Sequence, residues 1–113
     1  MANADARSFL FEARDLVASS WTQHTEARSD DGNPIDPWSS DATSWSLLGA
    51  LVAVYARLQR VDGEGSALEA LARACVKLAK TVDSDSLAAW NDAGGRTQAD
   101  VLAALDEAAE RTG

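Results

Sequence analysis

A chain of 113 residues, 46% apolar and 25% charged, has enough length for one domain around a single core and is too apolar to be disordered. Its 18 acidic residues against 10 basic ones give a formal charge of −8, so phosphate backbones and anionic lipid are repelled, and neither nucleic acid nor membrane is expected as a direct partner. The single cysteine, Cys75, excludes an internal disulfide.

The opening "MANADARSFLFEARD" places an acid before its first apolar run and has no basic flank, so no signal peptide is expected. Residues 4–19 carry Ala6, Phe9, Leu10, Ala13, Leu16 and Val17 at the i, i+3, i+4, i+7 spacing of an amphipathic helix. Next comes "SSWTQHTEARSDDGNPIDPW", which holds both prolines and the turn pair Asp31-Gly32. It reads as a structured loop of about 20 residues with a short hairpin around 30–33, and loops of that length are either functional or packed by their own side chains.

A second helix is expected from an N-cap at Ser39, Ser40 or Asp41 to about Gln59. Its middle, from Leu47 to Ala56, is apolar on almost every face, which marks it as the central helix; the block is about half the ~20 residues that cross a bilayer. Gly49 in its interior costs about 1 kcal/mol relative to Ala, so another helix or the long loop should approach closely there.

The glycines of "VDGEGS" end that helix, and Ser66 with Glu69 forms an S-x-x-E capping box for a third. The third helix has Leu68, Leu71, Ala72, Cys75, Leu78, Ala79 and Val82 as its core stripe, with Lys77 and Lys80 suiting its C-terminal dipole. Cys75 on that stripe reads as a buried thiol acting as a small hydrophobe. A short helical turn over Leu87 to Trp90 leads through Asn91 to Arg96 into Thr97, which with Asp100 makes a capping-box analogue. The last helix spans about Gln98 to Glu110, with Val101, Leu102, Leu105, Ala108 and Ala109 inward. These elements predict an all-α protein, a single domain over 1–113, built as a small four- to five-helix bundle with one long structured loop between helices 1 and 2.

Sites are sparse. His24 and Cys75 are single and lack local partners, so no metal site is expected. Asp30, Asp31, Asn33 and Asp36 surround Gly32 but miss the calcium-loop pattern, which leaves a turn. No nucleophile with its base, no paired catalytic carboxylates and no phosphate-binding glycine loop is present, so no catalytic residue and no cofactor is assigned. Gly94 to Thr97 offers an anion seat at a helix start, or else Thr97 caps its own helix and Arg96 pairs with an acid. Trp21, Trp38, Trp45 and Trp90 either fasten the loop to the bundle or line a binding surface. In the junction, Trp90 plugs the core and Asn91 and Asp92 accept from orphan backbone donors.

The stretches "SWTQHTEARSDDGNPIDP", "ATSWSLLGALV" and "AAWNDAGGRTQADVLAALDEAA" together resemble a family of short bacterial and bacteriophage proteins of unknown function, DUF6197, over nearly the whole chain. The match rests on Trp21 with Ala27-Arg28 and Asp31-Gly32, on Trp45 with Gly49-Ala50-Leu51, and on Trp90-Asn91-Asp92 with Arg96-Thr97. Family members often carry a cysteine after the aromatic that matches Trp45; here Ser46 stands there, so the resemblance implies no thiol chemistry for this chain.

The leading expectation is a cytoplasmic protein that acts by binding, to a protein partner or to itself as a homo-oligomer, with the off-stripe Phe11 and Val76 as interface positions. One alternative is a small-ligand or enzymatic site, for an anionic ligand, between the 21–36 loop and the "WNDAGGRT" turn, lined by His24, Asp31, Trp90, Asn91, Asp92 and Arg96. Another is acidic mimicry of nucleic acid, which requires the carboxylates to form a stripe.

Overall fold

The computed structural model describes residues 5–112, so the expected helical start at Ala4 lies outside the described residues. Asp5 caps helix α1 (Ala6–Ser19) by accepting from the Ser8 amide at 2.8 Å. Phe9, Leu10, Ala13 and Val17 are fully buried on its inner face, as the spacing predicts.

The long segment after α1 holds two strands, β1 (Ala27–Ser29) and β2 (Ala42–Trp45), paired antiparallel with Ala27 opposite Trp45 and Arg28 opposite Ser44. The expected short hairpin around 30–33 forms at the tight turn that follows β1, where the Ser29 amide donates to the Asn33 carbonyl and the Ile35 amide to the Ala27 carbonyl, each at 3.0 Å. There the Gly32 amide donates to the Ser29 carbonyl at 2.9 Å, with Gly32 at φ 85°, and Arg28 bridges to Pro34. The pairing itself is wider than expected, because β2 lies where the second helix was predicted to begin. Ala42 to Trp45 is extended, with Thr43 and Trp45 suited to a pleated strand, and Ser46 supplies the real cap by accepting from the Gly49 amide at 3.0 Å. Trp45 thus sits on a strand and not on a helical turn. Helix α2 (Leu47–Asp62) starts later and ends later than its sequence pattern indicated.

Helix α3 (Glu64–Val82) begins directly after Gly63, so Ser66 falls inside it and the Ser66–Glu69 box does not form. Its buried positions are Ala67, Ala70, Ala74 and Leu78, while Leu68 is 53% exposed and Ala72 also faces out. The inner face is rotated from the predicted stripe because small alanines let α3 lie close to its neighbours, leaving Leu71, Cys75 and Val82 half-buried at its edge. Helix α4 (Leu87–Asn91) is capped by Ser86. Helix α5 (Gln98–Thr112) opens with the predicted reciprocal cap: the Thr97 amide donates to Asp100 Oδ2 at 3.0 Å and the Asp100 amide to Thr97 Oγ1 at 3.1 Å.

The four long helices enclose one core. Both α1 and α3 pack on all three of the others, α1 most extensively on α5, whereas α2 packs mainly on α1 and α3. The apolar girdle of α2 therefore has a different cause from the one inferred. Leu47, Ala50, Leu51, Val54 and Leu58 fill the core, whereas Val52, Ala53, Tyr55 and Ala56 form a second, half-exposed apolar face. No helix of the described residues is long and apolar enough to cross a membrane.

Candidate functional site

The "WNDAGGRT" turn and the long loop meet, and Asn91 is where they meet. Its side chain is completely buried and its amide is engaged on both ends. Oδ1 accepts from the Trp21 indole Nε1 at 2.7 Å and from the Leu47 amide at 3.0 Å. Nδ2 donates to the Thr22 carbonyl at 3.2 Å and to Asp92 Oδ1 at 3.0 Å. Leu47 is the first residue of α2, so its N–H has no partner within the helix, and Asn91 supplies one from another element. One side chain thus joins α4, the start of α2 and the first turn of the loop.

The neighbouring bonds extend the same clasp. Asp92 Oδ1 accepts from the His24 amide at 2.8 Å, which holds His24 in the left-handed region at φ 72°. Gln23 Nε2 reaches the carbonyls of Asn91 at 2.9 Å and Ala93 at 3.3 Å. Arg28 braces the loop from within: Nε donates to Thr22 Oγ1 at 2.8 Å, and its terminal nitrogens donate to the Gln23 and Gly32 carbonyls. Behind these residues the Glu26 carbonyl receives the Ser46 amide at 3.0 Å and lies against Gly49.

The predicted lining residues divide accordingly. His24, Asn91 and Asp92 come together, but His24 does so through its backbone; among the described residues its imidazole has no hydrogen bond or ion pair. Trp90 and Arg96 form a separate pair, with the guanidinium 3.9 Å from the indole centroid and Nε donating to the Trp90 carbonyl at 2.8 Å. Arg96 therefore neither pairs with an acid nor sits alone at the helix start. Asp31 lies in the Ser29–Asn33 turn, accepting from the Ser29 hydroxyl and from the Asn33 amide and side chain. Those bonds, led by the one from Ser29, hold its carboxyl below the usual range. Among the described residues no group of three or more His, Cys, Asp or Glu side chains could hold a metal ion.

Gln23, Arg28, Glu26 and Ser46 carry much of this junction and were not among the predicted lining. Only Arg28 and Ser46 had a sequence signal, through their places beside the motifs. Ser46, the position beside Trp45 singled out in the sequence, is buried and caps α2.

Of the four tryptophans, two hold the loop and a third is fixed against the core. Trp21 bonds Asn91 and bridges to Trp45; Trp45 Nε1 donates to the Pro37 carbonyl at 3.1 Å; Trp90 packs on the core under Arg96. Trp38 does not, being 55% exposed. It stands over the outer face of α2 between two depressions. One, of about 420 Å³, is lined by Val52, Tyr55, Ala56, Gln59 and Arg60; the other, of about 370 Å³, by Leu16, Pro37, Ala53 and Arg57 among others.

Fold and junction together define a mostly helical domain whose long loop carries a small hairpin and is clasped to the bundle by a buried asparagine. The chain belongs to the family of unknown function DUF6197, whose model matches residues 1–111. No curated protein and no solved structure matches it. Of the residues that carry the family resemblance, Trp21, Arg28, Trp45, Gly49, Asn91 and Asp92 make the clasp or brace it, whereas Trp90 and Arg96 form their own pair and Asp31-Gly32 the turn after β1.

Proposed function

We propose that the protein acts by binding another protein through the face formed by Trp38 and the outer side of α2. The observation that carries this reading is Trp38 itself, exposed beside Tyr55, Arg57 and Arg60 while its three counterparts are committed to the fold. Trp, Tyr and Arg are the residue types that dominate binding energy at protein interfaces, and truncating such an anchor typically costs about 2 kcal/mol or more. The face is also rigid before binding, because the adjacent loop is held by the Trp45–Pro37 bond and by the Asn91 clasp, so little ordering entropy opposes association. The second apolar side of α2 supports the same reading, since a helix with one buried face has no folding need for Val52 on the other, whereas Tyr55 packs partly on the core and turns its remainder outward. The reading places the protein in the cytoplasm, supported by its unpaired, half-buried Cys75.

The test is photo-cross-linking in the native cell with a benzoylphenylalanine side chain at the exposed position of Gln59. The expected result is one discrete adduct with another protein, abolished by Trp38→Ala and by Arg60→Glu while thermal stability is unchanged. An adduct that survives Trp38→Ala overturns the reading, and a covalent dimer of this chain alone replaces it with self-association.

A further inference from the structure

A second surface differs from the rest of the molecule in charge. Between the start of α1, the middle of α3 and the last turn of α5 runs a groove of about 570 Å³ with Ala6, Ala72 and Val76 as its floor and Arg7, Arg73, Lys77 and Arg111 around it. Four of the chain's ten cationic residues meet there, in a protein of formal charge −8, with Asp5 as the single acid of the lining. Asp5 is already committed to capping α1. Arg73 and Arg111 reach Glu69 and Glu107 along their own helices at 3.4 and 3.0 Å, but all four side chains are more than half exposed, so these pairs hold the cations weakly and release them at little cost. Val76, 53% exposed, forms part of the floor, and Phe11, 43% exposed, extends the apolar surface along α1 beneath Arg7, whose guanidinium lies 5.5 Å from its ring centroid.

We infer that this groove binds an acidic segment of a partner protein, one that sets carboxylates against Arg7, Arg73, Lys77 and Arg111 and an apolar side chain on Val76. The physical case rests on charge and on the floor together. A free phosphate would satisfy the cations and leave the apolar floor unused. A nucleic acid or an anionic bilayer would meet four favourable charges locally and the repulsion of the whole chain beyond them. A second copy of this chain fits poorly in a two-fold contact, which would set four cations against four, and a head-to-tail contact would have to build a ring or a filament. A short acidic segment with an apolar anchor uses both the cations and the floor and carries few charges beyond the groove into the field of the whole chain, and local attraction to the groove would steer its approach. The surface is separate from the Trp38 face and does not depend on it.

The experiment is fluorescence anisotropy with a labelled amphipathic peptide bearing glutamates on one face and leucines on the other. Controls are the same peptide with lysine for glutamate and a labelled thymidine oligonucleotide of similar length. The expected result is saturable binding of the acidic peptide, weakened by salt, lowered about tenfold or more by the pair Arg73→Glu and Lys77→Glu, lowered also by Val76→Ser, and unaffected by Trp38→Ala. All four positions are outside the core, and circular dichroism of each variant verifies that the fold is kept. Absence of saturable binding overturns the inference. So does equal binding of the lysine peptide or the oligonucleotide, indifference to the charge reversals, or self-association that the same reversals abolish.

Discussion

A Cβ on Gly49 would stand 1.8 Å from the carbonyl oxygen of Glu26, so the long loop rests its backbone directly on α2 at the one position of that helix that has no side chain. The contact explains a glycine in a helix interior and yields a contrast within one protein. Gly49→Ala gains up to about 1 kcal/mol in helix propensity, but the obstacle is backbone fixed by the Ser46 bond, so a net loss of about 1–3 kcal/mol is expected. Gly65→Ala, in the first turn of α3 with open space around it, should instead be neutral or stabilising by up to about 1 kcal/mol. Thermal unfolding of the two variants should move Tm in opposite directions, or leave it unchanged for Gly65 alone.

Removing Asn91 should be among the most damaging single changes. Asn91→Ala leaves the Trp21 indole N–H, the Leu47 amide and the Thr22 carbonyl without their partner, the Leu47 amide in a fully buried position. Each buried unpaired group costs about 1–3 kcal/mol, so a total loss of at least about 3 kcal/mol is expected from urea unfolding. Asn91→Asp keeps one acceptor but sets a buried carboxylate against Asp92 Oδ1 and the Thr22 carbonyl, and should be no milder than Asn91→Ala at neutral pH.

The Asp31 turn should show its bonds in a titration. The folded carboxyl is held below its ordinary value, first by the Ser29 hydroxyl and then by the Asn33 amide. Its stabilising contribution is therefore full above the unfolded aspartate pKa and is lost as pH falls through the lower folded value. Carboxyl NMR should place the Asp31 midpoint below that of an unstructured aspartate. Ser29→Ala should bring it upward.

Cys75 should behave as a packing residue. Burial pushes its thiol up, so less thiolate is present at neutral pH than for a free cysteine. Alkylation by iodoacetamide should be slow in the native protein and become fast in urea. Native-state reaction at the rate of free cysteine would contradict the burial of this edge of α3.

The sequence made the helices legible where apolar spacing was regular, as in α1 with Phe9, Leu10 and Val17, and where caps were reciprocal, as at Thr97 and Asp100. It misplaced the start of α2 because Ser39 to Asp41 are as good a cap by composition as Ser46. What decides between them is the pairing of Ala42–Trp45 with a strand fifteen residues away, a tertiary fact. The inner face of α3 was misread for a similar reason, since leucine outranks alanine in any apolar pattern, yet close helix packing favours the smaller residue. In the junction, Asn91, Asp92 and the tryptophans were recognisable as unusual. Their purpose was not, because an amide that binds a ligand and one that binds its own backbone have the same composition.

The Asn91 clasp also bears on the order in which the chain folds. Its bonds join residues up to 70 positions apart, whereas the helices need only near neighbours. The pairing of α1 with α5 spans still more of the chain, but the Asn91 bonds need α4, the first turn of α2 and the loop all in place, so the hairpin should dock late and contribute little to the rate-limiting step. Trp21→Phe, which deletes one strut of the clasp, is then expected to hasten unfolding in stopped-flow traces with almost no change in the refolding limb. The loop would be a latch that governs how long the native state lasts more than how fast it is reached.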